Sequence, residues 1–252
     1  MKILVILLAF LSAPAFGQLP VNPESAARAQ ELLDRAVEAL GGEAFVNVQT
    51  SYLEGRVYGF RRGDLAGLAQ VAQYIRYPDQ SREEYGEDQE EIHITNGDQG
   101  WMIDINGVHP VPEEEMRSRR EAASMRAFYV LRYRLGEEGS IVEYVERDLW
   151  ENRTVDVVRF VDRENNAMTI SLDGLTALPV RATRVYRNPQ TRERIEEVET
   201  FANYFTRDGI ARPRRMMRLR NGERVFEAVI REAQYNIPHQ DSLFQPPTGQ
   251  AN

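Results

Sequence analysis

The sequence predicts a mainly β protein of the α+β class, with one long antiparallel sheet and helices covering one of its faces. Three observations predict it. Between Ser140 and Tyr235 apolar and polar residues alternate, as in Met168, Ile170 and Leu172 against Thr169 and Ser171. A period of two sends one side of each strand to a buried face and the other to water. The runs are separated by Arg163-Glu164-Asn165-Asn166, Asp173-Gly174, Asn188-Pro189, Asp208-Gly209 and Asn221-Gly222, and Asn-Gly or Asp-Gly supplies the positive φ angles of tight hairpins. Two segments outside this meander carry apolar residues at helical spacing, and the apolar face of the sheet is the surface available to bury them.

The chain opens with a targeting pattern. Met1-Lys2 is a short positive segment, Ile3 to Leu11 is an apolar run too short to span a bilayer, and Ala15-Phe16-Gly17 ends in small residues. Residues 1–17 therefore read as a signal peptide cleaved after Gly17, which implies export, to the periplasm in a cell with two membranes. Residues 18–247 read as a single domain and 248–252 as a C-terminal tail.

Asn22-Pro23-Glu24 is a helix start, with a capping side chain, a proline in the first turn and an acid at the positive end of the dipole. Ala26, Ala29, Leu33, Ala36 or Val37, and Leu40 then form the stripe, and Gly41-Gly42 ends it. Val48 to Phe60 and Leu68 to Tyr77 read as strands joined by a charged tip, Arg61-Arg62-Gly63-Asp64. Shorter strands follow at Ser81–Tyr85, Glu91–Thr95 and from Gly100, with Trp101 expected to plug one end of the core. Pro112 to Leu135 reads as a second helix, opened by Glu113, Glu114 and Glu115. In the proline-rich tail, Leu243 and Phe244 read as an anchor.

Composition removes several functions. The net charge of -8 disfavours a nucleic-acid partner, which would call for a basic surplus. With no cysteine there is no disulfide, thiolate nucleophile or Cys-type zinc site. Lys2 is the only lysine, so no Schiff-base or P-loop lysine exists. Of three histidines, only His93, two residues from Glu91, offers half a metal site, and the pair reads first as a surface polar pair. No serine sits in a Gly-x-Ser-x-Gly turn.

A set of short motifs, taken in order, carries a family resemblance. They are Ala36-Val37-Glu38-Ala39-Leu40-Gly41-Gly42, Tyr77-Pro78-Asp79, Arg82-Glu83 and Asn96-Gly97-Asp98-Gln99-Gly100-Trp101. Then come Asp173-Gly174-Leu175-Thr176-Ala177-Leu178-Pro179-Val180, Asn203-Tyr204-Phe205 with Asp208-Gly209-Ile210, and Phe244-Gln245-Pro246-Pro247. The chain resembles a divergent member of the outer-membrane lipoprotein-sorting (LolA/LolB-like) superfamily. The resemblance implies an unclosed antiparallel β-barrel, here of about ten to eleven strands by the turn signals. An N-terminal helix and a mid-chain helix would cover its concave side, and the hollow would hold acyl chains.

The expected function is thus an exported, non-enzymatic carrier of a lipid or lipoprotein. It would need no cofactor and no metal, and would touch a membrane surface transiently. The alternatives are an envelope module that binds a protein partner on the same sheet, and a hydrolase whose site sequence does not reveal. Apolar candidates to line the hollow are Trp101, Met125, Phe128, Leu131, Phe160, Met168, Ile170 and Leu172; taken singly, each reads first as plain core. Arg212, Arg214, Arg215, Arg218 and Arg220 crowd one strand, and Glu193, Glu196, Glu197 and Glu199 the strand before it. They pair across the ladder, or else Arg215 and Arg218 receive an anionic headgroup.

Overall fold

The computed structural model describes residues 22–188 and 191–247. The segments expected as a signal peptide, 1–17, and as a C-terminal tail, 248–252, lie outside the described residues. The first six strands are β1 (Thr50–Arg61), β2 (Asp64–Arg76), β3 (Gln80–Tyr85), β4 (Glu91–Asn96), β5 (Gln99–Asp104) and β6 (Gly107–Pro110). The last seven are β7 (Ile141–Trp150), β8 (Arg153–Val161), β9 (Ala167–Asp173), β10 (Pro179–Arg187), β11 (Arg194–Arg207), β12 (Ile210–Arg220) and β13 (Glu223–Tyr235). All 13 form one antiparallel sheet in the order β6-β5-β4-β3-β2-β1-β13-β12-β11-β10-β9-β8-β7. Each half is a meander of hairpins, and β1 on β13, from Ser51 opposite Tyr235 to Gly59 opposite Phe226, joins the halves. The edges are β6 and β7, which are unpaired with each other, so the sheet is unclosed.

Thirteen strands correct the expected ten to eleven. The segment 140–162, in which the sequence shows no turn signal, holds two strands, β7 and β8. Glu151 and Asn152 both adopt positive φ, 47° and 62°, which is the geometry of a two-residue hairpin turn made without glycine. The other addition, β6, is four residues long.

The N-terminal helix α1 (Pro23–Leu40) starts where Asn22 Oδ1 accepts the Glu24 N–H at 2.9 Å. It buries Ala29, Leu32, Leu33, Ala36 and Leu40. Its end is set by Gly41, whose φ is +125° and whose added Cβ would lie 2.3 Å from the Gly209 carbonyl oxygen. The helix end therefore sits directly on the β11–β12 turn. A short helix, α2 (Glu43–Val46), follows and buries Phe45.

The mid-chain segment is not the single helix expected for Pro112–Leu135. It divides into α3 (Glu113–Ser124), α4 (Ala127–Tyr129) and a π-helical turn over Val130–Arg134, with extended backbone at Arg126. The reason is visible in the sequence. The run Ala127 to Leu131 is apolar on consecutive positions, and one straight helix would bury only one side of it. The break buries Ala127, Val130 and Leu131 and turns Phe128 and Tyr129 elsewhere. The tail packs back as expected: Phe244 is buried, Arg76 lies 4.8 Å over its ring, and Arg76 pairs with Asp241 at 2.8 Å.

Candidate functional site

The inner face of the sheet, the one under the helices, changes character along its width. Over β7 to β10 it is solid. Val158 and Phe160 of β8, Met168, Ile170 and Leu172 of β9, and Ala182 of β10 meet the apolar stripe of α1 in one core. Small Ala29 and Ala36 let the helix lie close. Over β1 to β3 and β12 to β13, the cover is instead the segment from α3 to the π-helical turn. Only Met116 of α3 is buried. It rests on Gly100, where a Cβ would lie 2.4 Å from its sulfur. Beyond α3 the cover is fixed by Met125, Ala127, Val130 and Leu131, which join the core, and the space that remains lies beneath α3 and beside Phe128 and Tyr129.

That space is a trough. One cavity of about 360 Å³ lies between Phe45, Ile75, Tyr77, Phe128, Tyr129 and Met216. A second of about 400 Å³ is walled by Leu53, Val57, Val71, Phe226, Ala228 and Ile230. Both are bounded by Gln73, Glu83, Arg126, Arg212 and Met216, so they adjoin. A third, of about 480 Å³, lies under α3 and shares Ile75, Tyr77 and Tyr129 with the first.

The charges on this face are mostly paired. Glu199 takes Arg126 from the cover and Arg218 from β12, the latter at 3.1 Å. Glu197 takes Arg184 at 2.9 Å and Arg220 at 3.5 Å. Burial would push the Glu197 carboxyl up, but Arg184, Arg218 and Arg126 outweigh it and hold the group below its ordinary value. Burial, with Arg126 nearby, lowers the Arg218 guanidinium. Two cations are placed differently. Arg132 lies 4.4 Å from the rings of both Phe45 and Tyr77. Arg212 acts on Tyr77, Tyr204 and Tyr235. Burial would raise the Tyr77 phenol, yet Arg132 and then Arg212 hold it below its usual value.

Of the eight apolar candidates, the structure sets Phe128 in the wall of the trough, edge-on to Phe201 at 5.0 Å between ring centres. Met125, Leu131, Phe160, Met168, Ile170 and Leu172 lie in the solid core. Trp101 is half-buried opposite Ile94 and Pro110 and outside that core. With Gly100 beneath Met116, alternation sends Trp101 to the outer face. Of the two arginines, Arg218 reaches the trough but is held by Glu199, and Arg215 is on the outer face with Glu227 at 2.8 Å. Tyr77, Arg132, Arg212, Met216 and Tyr235 are trough residues that the sequence does not mark as lining a hollow, although Tyr77 falls in a motif and Arg212 in the arginine-rich strand. Alternation from Met216 places Arg212 on the inner face, but a charged strand residue ordinarily reads as facing water. His93 bonds Glu91 at 2.5 Å, and among the described residues no group of three or more His, Asp and Glu is arranged to hold a metal.

Neither a protein-family model nor a curated protein matches this chain. Solved structures do. A DUF1329 family protein from Desulfovibrio piger superposes with a TM-score of 0.60 at 12% identity, over 86% of this chain and 97% of that one. A putative outer membrane lipoprotein-sorting protein domain from Vibrio parahaemolyticus gives 0.57 at 12% identity over the same shares, 86% and 97%. A LolA superfamily protein from Nitrosomonas europaea gives 0.52 at 10% identity, again over 86% and 97%. At such identities it is the fold that is shared, and the unclosed antiparallel sheet with its helical cover is a divergent LolA-like fold.

Proposed function

We propose that this protein is an exported, non-catalytic carrier that shields an acyl chain of a lipid or lipoprotein in the trough between sheet and cover. The observation that carries the reading is the unfilled, largely apolar space under the mid-chain segment. Its first cavity alone, about 360 Å³, is within the size range of small-molecule sites. Each methylene hidden there is worth about 0.8 kcal/mol, so a chain of ordinary length is held by burial alone. The signal-peptide pattern of residues 1–17 supports export. Among the described residues, no helix is long and apolar enough to cross a membrane.

Loading requires contact with a membrane or a donor. The β1–β2 hairpin tip supports such contact. Leu65 and Leu68 are 58% and 57% exposed there, with Arg61 and Arg62 beside them. Apolar side chains flanked by cations suit an anionic bilayer surface.

Native mass spectrometry after mild extraction, with uptake of a fluorescent fatty acid, tests the proposal. Co-purified or acquired lipid is expected, and Ala123→Trp, in the wall of two of the cavities, should abolish uptake while the fold persists. A protein that is always empty and takes up no chain would overturn it, and a stoichiometric protein partner captured without lipid would replace it.

A further inference from the structure

The trough walls are mostly apolar, with Gln73, Glu83, Arg126 and Glu199 among their polar groups, and two of their cations stand apart. Arg132 and Arg212 both line its first cavity, and Arg212 also lines the second. Among the described residues neither forms an ion pair with a carboxylate. Their partners are neutral: Arg132 engages Tyr77 and Arg212 engages Tyr235. The Nε atom of each is buried and has no hydrogen-bond partner. By contrast, Arg126, Arg184 and Arg218 each hold a carboxylate.

Two guanidinium groups beside a greasy hollow, with buried donors unused, are costly unless an anion completes them. Tyr77 reports the field they make, since its phenol is held low despite burial. Guanidinium matches oxyacids because its planar fork donates two parallel hydrogen bonds to a carboxylate or phosphate. We infer that the trough selects an amphiphile with an anionic oxyacid head, carboxylate or phosphate, which seats on Arg132 and Arg212. The apolar chain then runs from Arg212 into the compartment walled by Leu53, Val57, Val71, Ala228 and Ile230. This inference rests on the carrier reading and adds the chemical class of the cargo.

The test uses the mature protein and four probes of one chain length, ending in carboxylate, phosphate, alcohol or methyl ester. Displacement of a fluorescent fatty acid reads affinity. In parallel, the 15N–1H signals of the Arg132 and Arg212 Nε groups are followed during titration with each probe and with inorganic phosphate. The anionic heads should bind roughly tenfold or more tighter than the alcohol and ester, and the two Nε signals should shift with them. The carboxylate and phosphate arms decide between the two heads. Arg212→Gln, and separately Arg132→Gln, should bring all four probes to the alcohol's affinity. Because Arg132 also stacks on Phe45 and Tyr77, Arg132→Lys, which keeps a cation, is the check that loss comes from charge and not from unfolding.

If all four probes bind alike, the head assignment is overturned while the carrier stands. If no chain binds yet both Nε signals respond to inorganic phosphate, the anion site stands and the carrier falls. Silent Nε signals without binding of any probe would overturn both.

Discussion

The two halves of the sheet are built by the same rule and covered in opposite ways. On β7 to β10, α1 lies close on Phe160, Ile170 and Leu172, and the layer between helix and strands is full. On β1 to β3 and β12 to β13, the strands alternate as regularly, but their cover is anchored by Met116 on Gly100 at one end and by Ala127, Val130 and Leu131 at the other, and bridges a trough between them. The lesson is that an apolar strand face becomes core or cavity according to the element above it. An amphipathic helix with alanines on its apolar stripe closes the gap. A charged helix followed by two helical turns, broken at Arg126, leaves it open.

Truncation should break the comparison first if it is wrong. Phe160→Ala on the solid side should cost about 3–5 kcal/mol in urea unfolding, since it removes a fully buried ring and leaves a void. Met216→Ala, beside existing space, should cost less than about 2 kcal/mol. Equal costs would mean that both halves are packed alike.

Next, the buried charges on β11, between the two regions, make stability depend on acid. The Glu197 carboxyl is held below its unfolded value by Arg184, Arg218 and Arg126, against burial. Its contribution is therefore complete above the unfolded carboxylate value, about 4.3, and is lost as pH falls through the lower folded value. Glu197→Gln should lower neutral-pH stability by about 1–3 kcal/mol and flatten the loss below that value in pH-dependent unfolding curves. An unchanged acid limb would show that the network does not hold β11 to β10 and β12.

The same enlargement tried on each side sharpens the contrast. Ala36→Leu on α1 should destabilise by about 1–3 kcal/mol through overpacking. Ala123→Leu over the trough should be neutral or stabilising by about 1 kcal/mol, as cavity-filling changes often are. Thermal unfolding of the pair reads the difference, and a reversed order would place the void on the other side. The smallest effect is expected outside both regions. Arg231→Ala removes an exposed pair with Glu54, 2.7 Å apart, and should change stability by about 0.5 kcal/mol or less.

Much of this architecture can be read from the chain. The alternation in Met168-Ile170-Leu172 places those residues on one face of β9, and Gly41-Gly42 ends the first helix at the expected residue. What escapes sequence reading has local causes. The Glu151-Asn152 turn contains no glycine or proline, so β7 and β8 look like one strand. The mid-chain helix carries valid signals along its whole length, and only the need to bury Ala127, Val130 and Leu131 together breaks it. For the site, Phe128 was legible as an apolar residue of the cover. Arg132 and Arg212 were not, because nothing along the chain reports that a guanidinium will lie under another layer.

The sequence by itself determined the strands, most of their turns and the helical stripe that seeks a partner, because period, capping and turn chemistry act over a few residues. Only the tertiary structure decided that one half of the inner face is filled and the other hollow. That outcome depends on the height of the cover above the sheet. The height is set by contacts far apart in the chain, Gly41 on Gly209 and Gly100 under Met116, and no local pattern encodes a distance between layers.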